Sequence, residues 1–245
     1  AVVEGLTART ALLTTEGFPD ILVLKEGGKP NPHQLDVDYP APYIPRHLTF
    51  EVPERISSEG DVIVPIDEQR LRDIAAELKA RKVEAVAVCF LWSVNNPAHE
   101  ERAGAVLAEC CPGMAVTLSH RLNPVVREYR RCTATAIDAS LKPLMQRHLA
   151  EMEEDLRGVG YRGTILISTS FGGVMNVTDV VERPIYLVRS GPAMAPVAGI
   201  KYAAAEHGSS DIIVCDTGGT TFDVSLIRDG NIKFTRDTWL GGEWI

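Results

Sequence analysis

Apolar residues recur along this chain with two different periods. Leu71, Ile74, Ala75 and Leu78 fall at i, i+3, i+4 and i+7, one face of a helix, and Asp67 is placed to cap its start. Val83 to Trp92 is almost continuously apolar, which predicts a parallel strand covered on both faces. Shorter runs at Ala8–Thr15, Leu48–Val52 and Ala115–Leu118 predict further strands, and Val62–Pro65 is expected to continue the sheet after a turn at Ser58–Asp61. Asn96-Pro97 opens a second helix, with Asn96 as N-cap and Pro97 as first residue; it ends near Cys110–Gly113. Strands and helices alternating at this spacing predict α/β architecture.

The second half changes rhythm. Leu122 to Arg157 has apolar positions at mostly helical spacing, and Pro143 inside it predicts a kink or break near Leu141 or Lys142. A strand is expected over Thr164–Ser168, with a turn at Ser170-Phe171-Gly172-Gly173. Another strand is expected over Pro184–Val188. Ser190-Gly191-Pro192 opens a helix from Ala193 to about Glu206, with Gly208 just past its end. Ile212–Cys215 reads as a buried strand. After a glycine turn comes a second strand, then a hairpin turn at Arg228-Asp229-Gly230-Asn231 leading into Ile232–Thr235. Gly27 to Pro45, with two glycines and five prolines, reads as a linker or surface arm.

The chemistry concentrates at Asp216-Thr217-Gly218-Gly219-Thr220-Thr221-Phe222-Asp223. Gly218 and Gly219 lack Cβ atoms, so the backbone can turn tightly and approach a ligand. Backbone N–H groups in such a turn form a concave anion site, and Thr220 and Thr221 add hydroxyl donors. Asp216 and Asp223 are hard oxygen ligands suited to Mg²⁺ or its waters. A plain hairpin with solvated side chains has the same outline, but two acids and two hydroxyls around the glycines favour a phosphate site. It is no P-loop, because no Gly-Lys-Ser/Thr follows. Ser190 and Gly191, at a helix start, offer N–H groups to an anion. Gly172 and Gly173 sit at the carboxyl end of a strand, where ligands bind in open α/β sheets. His99-Glu100 reads as a helix start rather than a metal motif, since no second His stands four residues on. The remaining histidines are scattered singly and are expected on the surface. Arg127-Glu128-Tyr129-Arg130-Arg131 reads as a solvated helix face or a structural hinge, or else sends Arg130 or Arg131 into a cleft.

The glycine turn resembles the second phosphate loop of the hydantoinase A/5-oxoprolinase family, which includes the ATP-binding subunits of acetone and acetophenone carboxylases. Further landmarks are similar and in the same order: Thr14-Thr15-Glu16-Gly17-Phe18-Pro19-Asp20, Asn96-Pro97-Ala98-His99-Glu100, Arg127-Glu128-Tyr129-Arg130-Arg131 and Ser190-Gly191-Pro192-Ala193. The resemblance implies an actin-like, ribonuclease-H-like ATPase core with an inserted α/β lobe, and a chain that is a fragment of a larger subunit. Residues 1–121 would form the remainder of an N-terminal lobe, 122–162 a long connecting helix region, and 163–245 the start of a second lobe. It implies ATP and Mg²⁺ as cofactors. Gly218, Gly219, Thr220 and Thr221 would cradle phosphate, and Ser190, Gly191, Gly172 and Gly173 would line the cleft. Asp216 would act on the metal and Asp223 would assist or brace the loop. The substrate would be a cyclic amide or ketone, phosphorylated on oxygen, with a second catalytic subunit completing a hetero-oligomer. A nucleotide-binding regulatory or structural module without catalysis of its own is the alternative. The family's first phosphate loop, a D-x-G-G-T-x-T-D, does not occur in this sequence. Phe171 also stands where relatives carry Asn.

Bulk properties narrow the partners. Lys and Arg total 25 against 33 Asp and Glu, a net charge of −8, which argues against a nucleic-acid partner. No apolar run approaches ~20 residues, so no membrane helix is expected. The five cysteines, Cys89, Cys110, Cys111, Cys132 and Cys215, fit neither a zinc site nor a disulfide framework. Cys89 and Cys215 read as small core residues, and a reducing cytoplasm is the natural setting.

Overall fold

A computed structural model describes residues 2, 5–26, 33, 36, 41–206, 208–219 and 222–232. The chain divides into two compact units, Ala1–Arg147 and His148–Thr238. Most of the Gly27–Pro45 arm, Thr220, Thr221 and everything from Lys233 onward lie outside the described residues.

The first unit is built on a parallel sheet. Its strands are β1 (Thr10–Thr15), β2 (Thr49–Val52), β5 (Ala85–Cys89) and β6 (Ala115–Leu118), in the order β2-β1-β5-β6. In between come α1 (Ile21–Leu24), β3 (Arg55–Ile56), β4 (Val62–Val64), α2 (Glu68–Ala80) and α3 (Ala98–Cys110). The central strands β1 and β5 are buried at every residue, as the unbroken apolar run at 83–92 requires of a sheet covered on both faces. Helix α2 starts where its sequence says: Asp67 Oδ1 accepts the Arg70 N–H at 2.9 Å, and Leu71, Ile74, Ala75 and Leu78 are its buried face. Asn96 Oδ1 accepts the Ala98 N–H at 3.1 Å, so Asn96 supplies the cap of α3, which begins one residue later than expected. Strand β4 does not continue the main sheet. It pairs with β3 as a separate antiparallel ribbon, and Val62, Ile63 and Val64 face solvent.

After α4 (Ser119–Leu122), helix α5 runs from Glu128 to Gly158 without a break at Pro143. The proline removes one backbone bond, but the preceding turns are anchored from outside the helix. Cys132, Ala136 and Ala139 are fully buried in the sheet core, Ser140 O accepts the Ala8 N–H at 3.0 Å, and Lys142 Nζ donates to Val116 O at 3.0 Å. Tertiary packing outweighs the lost bond.

The second unit contains the hairpin β7 (Leu166–Ser168) and β8 (Val174–Asn176), then α6 (Val177–Glu182) and α7 (Ser190–Glu206). An antiparallel sheet follows: β9 (Ile212–Thr217), β10 (Phe222–Arg228) and β11 (Asn231–Ile232). Pro184–Leu187, expected as a strand, is a 3₁₀ turn. Pro184 sets its φ and is buried, and the Tyr186 and Val188 N–H groups bond back to Arg183 O and Ile185 O, so they are spent within the turn and not on a ladder. Helix α7 begins at Ser190, earlier than expected, and Gly208 takes φ +64° past its end, donating to Ala203 O. Asp229 and Gly230 both have positive φ, as a two-residue hairpin turn of the I′ type needs. Strand β9 is not fully buried as expected. It alternates half-buried and exposed, because α7 packs on one face of the hairpin, while Ile213, Phe222, Val224 and Leu226 are more than half exposed on the other. Cys215, expected in the core, is exposed with them, whereas Cys89 is buried. No helix among the described residues is long and apolar enough to cross a membrane.

Gly199 sets how closely α7 lies on β9: a Cβ there would come within 2.4 Å of Val214 Cγ2. Val214 is β-branched and has little rotamer freedom to yield. Gly199→Ala is therefore expected to destabilise the second unit by up to about 2 kcal/mol, the overpacking cost exceeding the gain in helix propensity. Faster amide hydrogen exchange in β9 and β10 would report it.

Candidate functional site

The glycine turn closes the hairpin of β9 and β10. In its register Asp223 stands directly opposite Asp216, with Phe222 opposite Thr217. Cross-strand partners share a face, with Cβ atoms roughly 5 Å apart, so two half-buried carboxylates flank the base of the turn together. That pair fits Mg²⁺, a hard ion that takes one or two carboxylates and keeps several waters. Among the described residues there is no group of three or more His, Cys, Asp or Glu that could hold a metal. Gly218 and Gly219 are exposed, and among the described residues a Cβ on Gly219 would meet nothing within 4 Å. Gly219 does not use the left-handed region. Thr220 and Thr221 lie outside the described residues.

The other expected residues of this unit lie on α7 and on the turn between β7 and β8. Gly199 packs on Val214. From there α7 runs nine residues back to Ser190, about 13 Å at ~1.5 Å each, and β9 runs four residues on to Gly218, about 13 Å at ~3.3 Å each. Ser190 and exposed Gly191 form the first turn of α7. Gly172 packs on the same helix. At φ +74° it approaches α7 so closely that a Cβ would lie 3.4 Å from Ala193 O and 3.3 Å from Val197 Cγ2. Gly173 completes that turn, and Phe171 swings out to pack edge-on against Tyr186, with centroids 5.1 Å apart.

In the first unit a different set of landmarks converges. His99-Glu100 is not merely a helix start. Glu100 is fully buried and accepts from Phe90 N at 2.9 Å, Ser119 Oγ at 2.5 Å and His120 N at 3.0 Å. His120, expected on the surface, lies with Nδ1 2.7 Å from Glu100 Oε2. Arg131 is neither solvated nor at a cleft surface. It has no exposure, and its guanidinium donates to Ser119 Oγ at 3.0 Å, Val125 O at 2.5 Å and Phe90 O at 3.0 Å. A second buried group joins Thr15, Glu54 and His99. Thr15 Oγ1 donates to Glu54 and accepts the Leu91 N–H at 3.0 Å, while His99 Nδ1 lies 2.7 Å from the other Glu54 oxygen. Burial pushes the Glu54 carboxyl up despite its bonds to Thr15 and His99.

These networks brace the wall of an open crevice of about 650 Å³ at the carboxyl ends of β1, β2 and β5. Phe18, Asp20, Arg55, Trp92, Glu128 and Tyr129 line it. In the sequence Phe18, Asp20, Glu128 and Tyr129 stand out only as landmarks, Trp92 only as the end of an apolar strand, and Arg55 not at all. The one available signal for Arg55 is a charged pair, Glu54-Arg55, set between two apolar strand residues, Val52 and Ile56.

Two family models cover this arrangement, the hydantoinase/oxoprolinase N-terminal region over residues 1–111 and the hydantoinase/oxoprolinase domain over residues 131–244. The chain belongs to the hydantoinase/oxoprolinase family. It is 34% identical to the caprolactamase subunit alpha of Pseudomonas jessenii, over 97% of this chain and 34% of that protein. It is 32% identical to the acetophenone carboxylase gamma subunit of Aromatoleum aromaticum, over 92% of this chain and 32% of that protein. The crystal structure of the ATP-dependent caprolactamase superposes with a TM-score of 0.81 at 34% identity, over 92% of this chain and 33% of the other. The chain thus spans about a third of the length of the relatives it matches.

Removing the buried guanidinium would orphan Phe90 O and Val125 O and break the link through Ser119 to Glu100. Arg131→Met is expected to cost about 3–5 kcal/mol in urea unfolding of the first unit. Arg131→Lys should recover little of this, because a point ammonium cannot reproduce three divergent donors.

Proposed function

We propose that the protein contributes the ATP-handling part of an enzyme that activates a cyclic amide or ketone by phosphorylating its oxygen. The observation that carries this reading is the pair Asp216 and Asp223, set opposite one another on one face at the base of an exposed glycine turn. Phosphoryl transfer asks a protein for positioning and charge neutralisation more than for covalent chemistry. In this reading Gly218, Gly219, Thr220 and Thr221 hold phosphate oxygens. Ser190 and Gly191 present N–H groups at the start of α7, and Gly172 and Gly173 wall the cleft. Asp216 holds Mg²⁺ through water, and Asp223 assists or braces the loop. The metal supplies charge neutralisation on the transferring phosphoryl group. Residues 1–121 and 163–245 act as parts of two lobes linked by the helical region 122–162.

The names of the relatives support this reading, since one is an ATP-dependent caprolactamase and another a carboxylase gamma subunit. The designations alpha and gamma support a hetero-oligomer whose second catalytic subunit carries out the later step. The free thiols of Cys89, Cys110, Cys111, Cys132 and Cys215 suit a reducing cytoplasm.

Asp216→Ala is expected to lower Mg²⁺-dependent ATP turnover by at least ~10²-fold. Substrate-dependent ADP release, compared across hydantoins, 5-oxoproline, acetone and acetophenone with bicarbonate, chooses the substrate. Unchanged turnover in the variant discards the assignment. Tight nucleotide binding that no substrate accelerates returns the regulatory module.

A further inference from the structure

The crevice of the first unit contains none of the residues assigned to the phosphate turn. We propose that it is a binding site for a zwitterion with an apolar body: an α-amino acid whose side chain is aromatic or aliphatic. Arg55 takes its carboxylate and Glu128 its ammonium. This ligand is distinct from the cyclic amide or ketone of the reaction proposed above, which carries neither charge, and the inference does not rest on that reading.

The first argument sorts the charges of the lining. Asp20 is taken by Arg46 at 3.1 Å, and Glu26 is taken by Arg130 at 2.9 Å and Arg127 at 3.4 Å. Lys25 is engaged as well. Among the described residues, the side chains of Arg55 and Glu128 make no ion pair and no hydrogen bond. Both are half-buried. One cation and one acid thus stand open in the same crevice. A plain anion drawn by Arg55 would meet Glu128, and a plain cation drawn by Glu128 would meet Arg55. An uncharged ligand would take both ions partly out of water and give neither a counter-charge. A zwitterion gives each its opposite. A guanidinium grips a carboxylate through two parallel hydrogen bonds, and a carboxylate accepts from an ammonium.

The second argument is the shape of the rest. The chain leaving β1 supplies Phe18, the chain leaving β2 supplies Arg55, and the chain leaving β5 supplies Trp92. The first turn of α5 supplies Glu128 and Tyr129. The three strands are parallel, so the crevice lies outside their carboxyl ends, where open α/β sheets bind ligands. Its volume of about 650 Å³ is within the range of small-molecule sites. Phe18, Trp92 and Tyr129 give it aromatic surface, and Arg55 Cζ lies 5.0 Å from the Phe18 ring centroid, so charge and apolar surface adjoin. An amino acid with its charges at opposite ends of a methylene chain has no apolar body beyond them. An α-amino acid carries both charges on one carbon and sends its side chain away from both.

The third argument is strain. Trp92 has φ +57°, rarely tolerated by a bulky side chain. It is held there from both sides: Asn95 N and Asn96 N donate to Trp92 O at 2.9 and 3.1 Å, Leu91 N is bound by Thr15, and Phe90 O by Arg131. A strained residue fixed by a buried network in a crevice wall is a feature of binding sites.

The test uses isothermal titration calorimetry on the full-length protein with three ligands of one skeleton. L-Phenylalanine carries both charges, 3-phenylpropanoate lacks the ammonium, and 2-phenylethylamine lacks the carboxylate. L-Phenylalanine is expected to bind about tenfold or more tightly than either, the value of one hydrogen bond to a charged group. Arg55→Met should remove its advantage over 2-phenylethylamine, and Glu128→Gln its advantage over 3-phenylpropanoate. Its affinity should be the same in Asp216→Ala, whatever becomes of ATP turnover there. Equal affinities for the three ligands, no binding of L-phenylalanine, or an Arg55→Met protein that binds it as before would overturn the proposal. So would tighter binding of ε-caprolactam than of L-phenylalanine, which returns the crevice to an uncharged ring, or loss of L-phenylalanine binding in Asp216→Ala, which ties it to the phosphate turn.

Discussion

A guanidinium shut away from water organises the first unit. Arg131 reaches from the beginning of α5 to the Phe90 carbonyl just past β5, and through Ser119 Oγ it is linked to the buried carboxylate of Glu100. Each ion would be costly to bury alone. Together, with all their donors and acceptors engaged, they are tolerated and they allow one arrangement of the chain. The consequence is geometric: α3, α4 and α5 are tied to the same strand end, and Phe90, Leu91 and Trp92 leave β5 along a single path. The Thr15–Glu54–His99 group, bound to Leu91 N, secures the other side of that path. Whatever occupies the crevice meets a wall built before it arrives, so little ordering cost is left to binding.

The second unit uses closeness instead of charge. Gly199 lets α7 lie on Val214, and Gly172 lets the β7–β8 turn lie on α7. Two missing side chains thus let a helix lie on a strand and a turn lie on that helix. The acids are placed by another rule, the register of an antiparallel ladder, which sets Asp223 opposite Asp216. A corner of this kind presents N–H groups and carboxylates without long side chains that would have to be ordered, as suits a ligand rich in oxygen and negative charge.

The exposed face of β9 and β10 is at odds with their apolar sequence. Ile213, Val224 and Leu226 are residues of a strand packed on both sides, yet α7 covers only one side. The apolar pattern of a strand reports how many layers it is suited to, not which layers the described residues supply.

Much of the architecture follows from local rules that the sequence carries in itself. The helical face of Leu71, Ile74, Ala75 and Leu78, the caps at Asp67 and Asn96, the unbroken apolar strand β5 and the I′ turn at Asp229-Gly230 depend only on residues within a few positions of one another. Short-range patterns of that sort are legible because their energetics are short-range. The strand–turn–strand that carries Asp216 and Asp223 was legible for the same reason. Long-range decisions were not. Pro143 stays inside a helix because distant residues hold the preceding turns, and Pro184 opens a 3₁₀ turn whose N–H groups bond back within the turn. His120 and Arg131 go inside because Glu100 and Ser119, remote in sequence, wait for them. Burying a charge depends on partners gathered from several elements. Only the tertiary structure brings those partners together, and so only it decided the crevice and its bracing.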